Sequence, residues 1–83
     1  MKLRDGLKLT MVDDGYIIYD SERERIIALN ITSSFILEML LEDRNMEEIV
    51  QEYARAFDVD VETARRDYTD FISMMKREGL IED

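Results

Sequence analysis

The sequence contains no cysteine, no histidine and no proline, and it has only three glycines. Without cysteine the chain cannot form a disulfide or a thiolate metal site. Without histidine it lacks the usual general base and the most common metal ligand. It also has no apolar run long enough to span a membrane, and its first residues lack the apolar segment of a signal peptide. We therefore expect a cytoplasmic protein without a metal or another cofactor.

Acidic residues far outnumber basic ones. The 83 residues include 20 Asp and Glu against 11 Lys and Arg, which gives a formal charge of −9. Proteins that bind nucleic acid need basic surface to replace the counterions of the phosphates, so this charge argues against a nucleic-acid partner. It favours basic or neutral ligands, although most of it is expected to be ordinary solvated surface. Length and composition fit one globular domain, residues 1–83, with no membrane partner.

The first third of the chain has the alternating pattern of β-strands. Leu7, Leu9 and Met11 recur at every second position, which is the period of a half-buried strand. Asp13-Asp14-Gly15 predicts a tight hairpin turn after them, because glycine accepts the positive φ that such turns require. The sequence predicts strands over about residues 7–13, 16–20 and 25–29. We therefore expect a three-stranded antiparallel meander.

From Asn30 onward the apolar spacing changes to the period of a helix. The sequence predicts helices over about residues 33–42, 46–57 and 61–78. Residues suited to cap them lie at the predicted boundaries: Thr32 or Ser33, Asn45 with Glu48, Asp60, and Gly79. The first helix is apolar nearly all round, so it should lie in the middle of the domain. The element order predicts an α+β fold of the winged helix-turn-helix type.

Two functions of such a fold are disfavoured by the residues. Paired carboxylates such as Asp13-Asp14 and Glu47-Glu48 fall at turns or helix ends, where capping explains them, so we assign no catalytic residue and expect no enzyme. The third helix could be a DNA recognition helix, but such a helix normally has an excess of basic donors. Here basic and acidic side chains are equal in number: Arg65, Arg66, Lys76 and Arg77 against Glu62, Asp67, Asp70 and Glu78.

The third predicted strand, residues 25–29, would lie at an edge of the meander. It is apolar and lacks the proline or inward charge that normally protects an edge from pairing. Ile27 and Leu29 are expected to face the core. The free N–H and C=O groups of the strand could still accept an incoming peptide strand, because that pairing uses only the backbone.

Several short motifs together resemble the PqqD-like family, the recognition elements of ribosomally synthesised and post-translationally modified peptides. The motifs lie in the family's order between about Gly15 and Ile81: Asp20, Leu29-Asn30, Met46-Glu47-Glu48-Ile49, Phe57-Asp58-Val59-Asp60, Phe71 and Gly79-Leu80-Ile81. Asp43-Arg44-Asn45 departs from the family pattern, in which a glycine and then a serine or threonine are common. The chain also lacks the Pro-Glu-Gly turn of the quinone-cofactor members. It is more similar to the stand-alone leader-binding proteins of lasso-peptide biosynthesis.

The resemblance implies a non-catalytic protein that binds the leader segment of a precursor peptide as an added antiparallel strand beside the third strand. It implies that the leader is presented to a partner cysteine protease and later to a cyclase. The implied groove has walls from the third strand and the third helix: Ile26, Ile27, Ala28 and Leu29, and Arg65, Tyr68, Thr69, Ile72 and Lys76. Tyr68 and Ile72 could instead belong to the core, and helical spacing does not fix which face of the helix meets the groove. A winged-helix adaptor that binds a folded partner through the third helix is the alternative.

Overall fold

The computed structural model describes residues 2–13 and 15–82. Its elements are β1 (Lys2–Leu3), β2 (Leu7–Val12), β3 (Gly15–Asp20), β4 (Arg25–Ala28), α1 (Ile31–Leu41), α2 (Met46–Phe57), α3 (Val61–Arg77) and β5 (Ile81–Glu82). β2, β3 and β4 form an antiparallel sheet in that order, which confirms the predicted meander followed by three helices. The sequence pattern did not predict β1 and β5, which pair with each other in a separate antiparallel sheet.

The core lies between one face of the meander and the three helices. Strand alternation turns Ile18 into it with no exposed surface, while its neighbour Tyr19 is 42% exposed. Ile36 and Leu37 of α1 are buried as well, because α1 packs against β3, α2 and α3. The expectation that this apolar helix occupies the middle of the domain is confirmed.

α1 begins two residues earlier than predicted. The Asn30 side chain accepts a hydrogen bond from the Ser33 backbone N–H at 2.9 Å and another from the Thr32 hydroxyl at 3.1 Å. Asn30 is therefore the N-cap, and the expectation that Thr32 or Ser33 caps the helix is wrong. Asparagine caps as well as serine does, so residue type alone could not choose between the positions.

The other predicted caps are confirmed. Asn45 and Glu48 form a reciprocal capping box at α2, and Asp60 accepts from the Thr63 N–H at 2.7 Å at α3. Glu78 follows the last residue of α3, and Gly79 then adopts a φ of 69°, which lies in the left-handed region that glycine accepts most readily.

The turn of the β2–β3 hairpin is one residue earlier than the glycine suggests. Val12 pairs with Gly15, so the turn precedes Gly15 and includes Asp13, which has a φ of 23°. Asp14 lies outside the described residues. Gly15 is a strand residue, and the expectation that it supplies positive φ is wrong. A Cβ there would lie 2.6 Å from the Leu29 carbonyl oxygen and 2.7 Å from the Ser34 hydroxyl. Glycine is needed because β3 runs very close to the start of α1.

Candidate functional site

β4 is an edge of the meander. Among the described residues it pairs only with β3. The Leu29 N–H donates to the Tyr16 carbonyl at 2.9 Å, and hydrogen bonding alternates along an antiparallel ladder. The N–H of Ile27 therefore also points towards β3, while those of Ile26 and Ala28 point away from the sheet. β4 offers two outward backbone donors to an added strand.

The four β4-side residues predicted to line the groove divide between the two faces of the sheet. Leu29 is buried and Ile27 is half-buried, and both contribute to the core. Ile26 is 68% exposed and Ala28 is exposed, on the opposite face. An added strand would meet Ile27 on its inner side and Ile26 on its outer side.

Two arginines hold the start of β4 against the end of α3. Arg25 Nη1 donates to Glu78 Oε1 at 2.7 Å, and Arg25 Nη2 donates to the Glu78 carbonyl oxygen. Arg23 Nη1 donates to the same carbonyl oxygen at 2.8 Å. Because Glu78 is the C-cap of α3, these contacts fix the spacing between strand and helix at this end.

Asp20 supports this contact from inside the sheet. Its carboxylate is fully buried and lies 3.1 Å from Arg25 Nε and 2.6 Å from Arg4 Nη2. Hydrogen bonding from Arg4, against the opposing effect of desolvation, lowers the pKa of Asp20 to about 2. The sequence-based reasoning missed this role. The strand period could have revealed this role, because it puts Asp20 on the same inward face as Ile18. A charged side chain on that face needs buried partners.

A cavity of about 320 Å³ lies between α3 and the start of α1, the helix that follows β4 after two residues. Its lining residues come from all three helices: Thr32, Ser33, Ile36, Tyr53, Asp67, Asp70, Phe71 and Met74. Phe71, Met74 and Glu78 follow one another at helical spacing along a single flank of α3. Since Glu78 contacts Arg25 of β4, this flank faces β4 at the C-terminal end of α3. We call the space between this flank and β4, including the cavity, the β4–α3 groove.

The other flank of α3 carries most of the helix residues predicted to bind. Arg65 Nη1 lies 2.7 Å from Glu47 Oε1 at the start of α2, and Tyr68 lines a different cavity beside the α1–α2 connection. Burial raises the pKa of Tyr68, and the charge of Lys76 opposes this shift. Helical spacing places Lys76 about two turns further along the same flank. Ile72 is buried in the core and Thr69 is exposed. A contact of these residues with a peptide stays a prediction.

The flank of α3 that ends at Glu78 carries residues that sequence reasoning did not select for binding. Asp67, Asp70, Phe71 and Met74 line the cavity, and of these only Phe71 is among the family motif residues noted in the sequence. Helical spacing separates the buried stripe of α3 from its exposed side, but both flanks border that stripe. No pattern in the sequence says which flank meets the strand.

Residues 2–13 and 15–82 contain neither a cluster of metal-binding side chains nor a membrane-spanning helix. No group of three or more His, Cys, Asp or Glu side chains is placed there to hold a metal ion. No helix in this part of the chain is long and apolar enough to cross a membrane.

Comparison with known proteins identifies the family. The model of the family described as coenzyme PQQ synthesis protein D (PqqD) matches residues 15–81. The chain belongs to the PqqD family. The resemblance seen in the sequence is confirmed over the range in which it was found. No curated protein matches the chain significantly.

Two solved structures of similar fold extend the comparison. One is TbiB1 in complex with the TbiA(beta) leader peptide, with 28% identity and a TM-score of 0.91 over 99% of this chain and 95% of that chain. The other is lasso peptide synthetase B1 complexed with the leader peptide, with 22% identity and a TM-score of 0.92 over 99% of this chain and 96% of that chain. At 22% identity the second likeness concerns the fold alone. Both proteins have nearly the same extent as this PqqD-family chain.

Proposed function

We propose that this chain binds the leader segment of a ribosomally made precursor peptide as an added strand beside β4. The observation that most directly supports this proposal is the free edge of β4. Its outward backbone N–H groups can donate to an added strand, and an open cavity lies near the helix that follows it. The similarity to TbiB1, whose structure contains a leader peptide, supports a leader peptide as the ligand here. We further propose that the chain does no chemistry on the leader and presents it to a cysteine protease and then a cyclase of lasso-peptide biosynthesis.

The geometry divides the binding between backbone and side chains. Outward N–H groups at Ile26 and Ala28 hydrogen-bond to the added strand whatever its sequence, so discrimination must come from pockets. Alternate side chains of the peptide would enter the β4–α3 groove, and the others would lie beside the exposed Ile26 and Tyr19.

The direction of the added strand follows from its antiparallel pairing. β4 runs from Arg25, at the C-terminal end of α3, towards the cavity near Thr32. An antiparallel peptide runs the opposite way. Its N-terminal part would therefore occupy the cavity, and its C-terminal part would leave beside Arg25 and Glu78.

Ala28→Pro tests strand addition. Proline removes an N–H that points away from β3, and prolines are tolerated at such edge positions. We expect unchanged far-ultraviolet circular dichroism and cooperative melting, with leader affinity at least about tenfold weaker, roughly 1.4 kcal/mol. The measurement is fluorescence anisotropy with two labelled peptides: the TbiA(beta) leader, and the leader of the precursor peptide encoded next to the gene of this chain.

Two control variants separate the explanations. Ile27→Pro removes a hydrogen bond of the β3–β4 ladder, so it should destabilise the fold. Arg65→Glu alters the other flank of α3. An adaptor that binds a folded partner through this flank would lose its partner, whereas strand addition at β4 predicts that Ala28→Pro weakens leader binding more than Arg65→Glu does. A folded Ala28→Pro variant that binds both leaders at wild-type strength would show that strand addition at β4 is not the mechanism.

A further inference from the structure

The cavity between α3 and the start of α1 has an apolar interior and an acidic rim. Ile36 and Phe71 are buried at its walls, with 1% and 4% of their surface exposed. Asp70 is exposed and Asp67 is half-buried. A side chain that enters this cavity therefore meets apolar surface along its length and carboxylates at the rim.

The two carboxylates have unused acceptor capacity. The Tyr53 hydroxyl donates to Asp67 Oδ2 at 2.8 Å. Burial first, and then this bond, raise the pKa of Tyr53, so the phenol remains a donor at neutral pH. Among the described residues no hydrogen bond reaches Asp67 Oδ1 or either carboxylate oxygen of Asp70. Nor does a lysine or arginine of those residues form an ion pair with Asp67 or Asp70.

The partial positive charge at the N-terminus of α1 offsets only part of this negative charge. Thr32 and Ser33, in the first turn of α1, line the cavity, and that turn has no acidic residue of its own. A helix N-terminus is equivalent to about half a positive charge. Two carboxylates outweigh it, and the domain as a whole carries −9. The potential in the cavity therefore favours a cation.

We infer that the β4–α3 groove selects peptides with a lysine or arginine at one position near the N-terminal end of the bound segment, and that Asp67 and Asp70 receive its charge. This inference rests on the proposed function. Lysine and arginine fit because their apolar stems can lie along Phe71 and Met74 while the charged end stays at the wet rim. Charge-assisted hydrogen bonds to the free carboxylate oxygens then fix the position of the side chain.

The test is a peptide scan at equilibrium. Each residue of the TbiA(beta) leader, and of the leader encoded next to the gene of this chain, is replaced in turn by lysine and by glutamate. At one N-terminal position of the bound segment we expect lysine to bind at least about threefold more tightly than glutamate, the range of partly exposed ion pairs. This ratio should shrink in high salt, which screens the charges.

Variants of the chain test whether Asp67 and Asp70 cause the preference for lysine over glutamate. Asp70→Lys should reverse the order of the lysine and glutamate peptides at that position. Asp67→Asn should reduce the ratio while retaining an acceptor for the Tyr53 hydroxyl. Glu62→Lys, the same charge change at an exposed site of α3 outside the cavity, should leave the order unchanged.

The outcomes separate the inference from the proposed function. Leaders that bind with no position favouring lysine, or a preference that survives Asp70→Lys, would overturn the inference alone. The inference would also be overturned if Glu62→Lys reversed the order of the lysine and glutamate peptides as Asp70→Lys does. The preference would then reflect only the net charge of the domain. If neither leader binds the wild-type chain, the proposed function fails and the inference fails with it.

Discussion

Asp20 is fully buried and yet ionised, because guanidinium groups reach it from two parts of the chain. Arg4 comes from the connection between β1 and β2, and Arg25 comes from the edge strand. Glu22 also pairs with Arg4 at the surface. A single carboxylate therefore joins the N-terminal segment, β3 and β4. Removing it would leave two arginines near the interior without their shared partner, which is more costly than losing an exposed pair.

Asp20→Asn should change how stability depends on pH. The pKa of Asp20 is about 2 in the folded protein against an ordinary 3.8, so the ionised form favours folding. Its contribution is complete above about pH 4 and is lost as the pH falls towards 2, with uptake of about one proton on unfolding. In the wild type, the urea concentration at the midpoint of unfolding should fall as the pH is lowered from 5 to 2. The variant should be less stable at neutral pH and lack this part of the decline.

The matched control for Asp20→Asn is Glu24→Gln, at an exposed carboxylate on the β3–β4 connection. It should keep the acid-dependent decline of the wild type. An Asp20→Asn variant with the same slope as the wild type would mean that Asp20 is not the group whose protonation weakens the fold.

At the scale of elements, β4 is a four-residue strand that is held at both ends. Arg25 fixes its start to the C-cap of α3, and the Leu29 N–H continues the ladder beyond its last residue. An edge strand this short has few hydrogen bonds of its own. The width of the β4–α3 groove therefore depends on the Arg25–Glu78 contact as much as on the sheet.

Arg25→Leu should loosen this groove. The variant loses charge-assisted hydrogen bonds to Asp20 and Glu78, at a cost of about 1–2 kcal/mol for a side chain that is partly exposed. We expect faster amide hydrogen exchange in β4 and at the C-terminal end of α3, with weaker leader binding. Arg23→Leu loses a single exposed hydrogen bond to the same carbonyl and should show a much smaller change. Equal exchange rates in the two variants would contradict a special role for Arg25.

The elements that sequence reasoning predicted correctly are those with a repeated local pattern. The strand pattern of Leu7, Leu9 and Met11 and the capping box of Asn45 and Glu48 each involve residues close together in the chain. β1 and β5 contain two residues each, too few for any period, and their pairing joins opposite ends of the sequence. The flank of α3 that faces β4 is likewise decided by packing between distant elements.

Of the candidate site, too, only the part with a local sequence pattern could be predicted. The edge strand could be found, because a three-stranded meander has two edges and its last strand lacks protective residues. The helix side could not, since Arg65 and Tyr68 fit a peptide-binding face by residue type as well as Asp67 and Phe71 do. Only the contact of Arg25 with Glu78 shows which flank is adjacent.

For the whole molecule, the excess of acidic charge should make stability depend on salt. The radius of gyration is 12.5 Å, whereas the Debye length is about 30 Å at 0.01 M salt and about 8 Å at 0.15 M. Repulsion among carboxylates therefore acts across the entire domain in dilute buffer and is screened at physiological ionic strength. Between these concentrations we expect the thermal midpoint to rise by about 2–4 °C, which corresponds to roughly 0.5 kcal/mol.

Choline chloride should give the same increase as sodium chloride, because screening does not depend on the identity of the cation. A midpoint that falls with added salt would mean that surface ion pairs such as Arg65–Glu47 contribute more than the net repulsion removes.

The pairing of β1 with β5 makes Lys2 and Glu82 neighbours, so the two ends of the described chain lie side by side. Forming this pair closes a loop of almost the full chain, and such non-local contacts slow folding. A circular permutant that joins these ends through a short linker and opens the chain between Val12 and Gly15 would make this contact local and the β2–β3 contact non-local. The three-dimensional neighbours of every strand would stay the same. The permutant should therefore keep β4 as an edge strand, although its strands are connected in a different order.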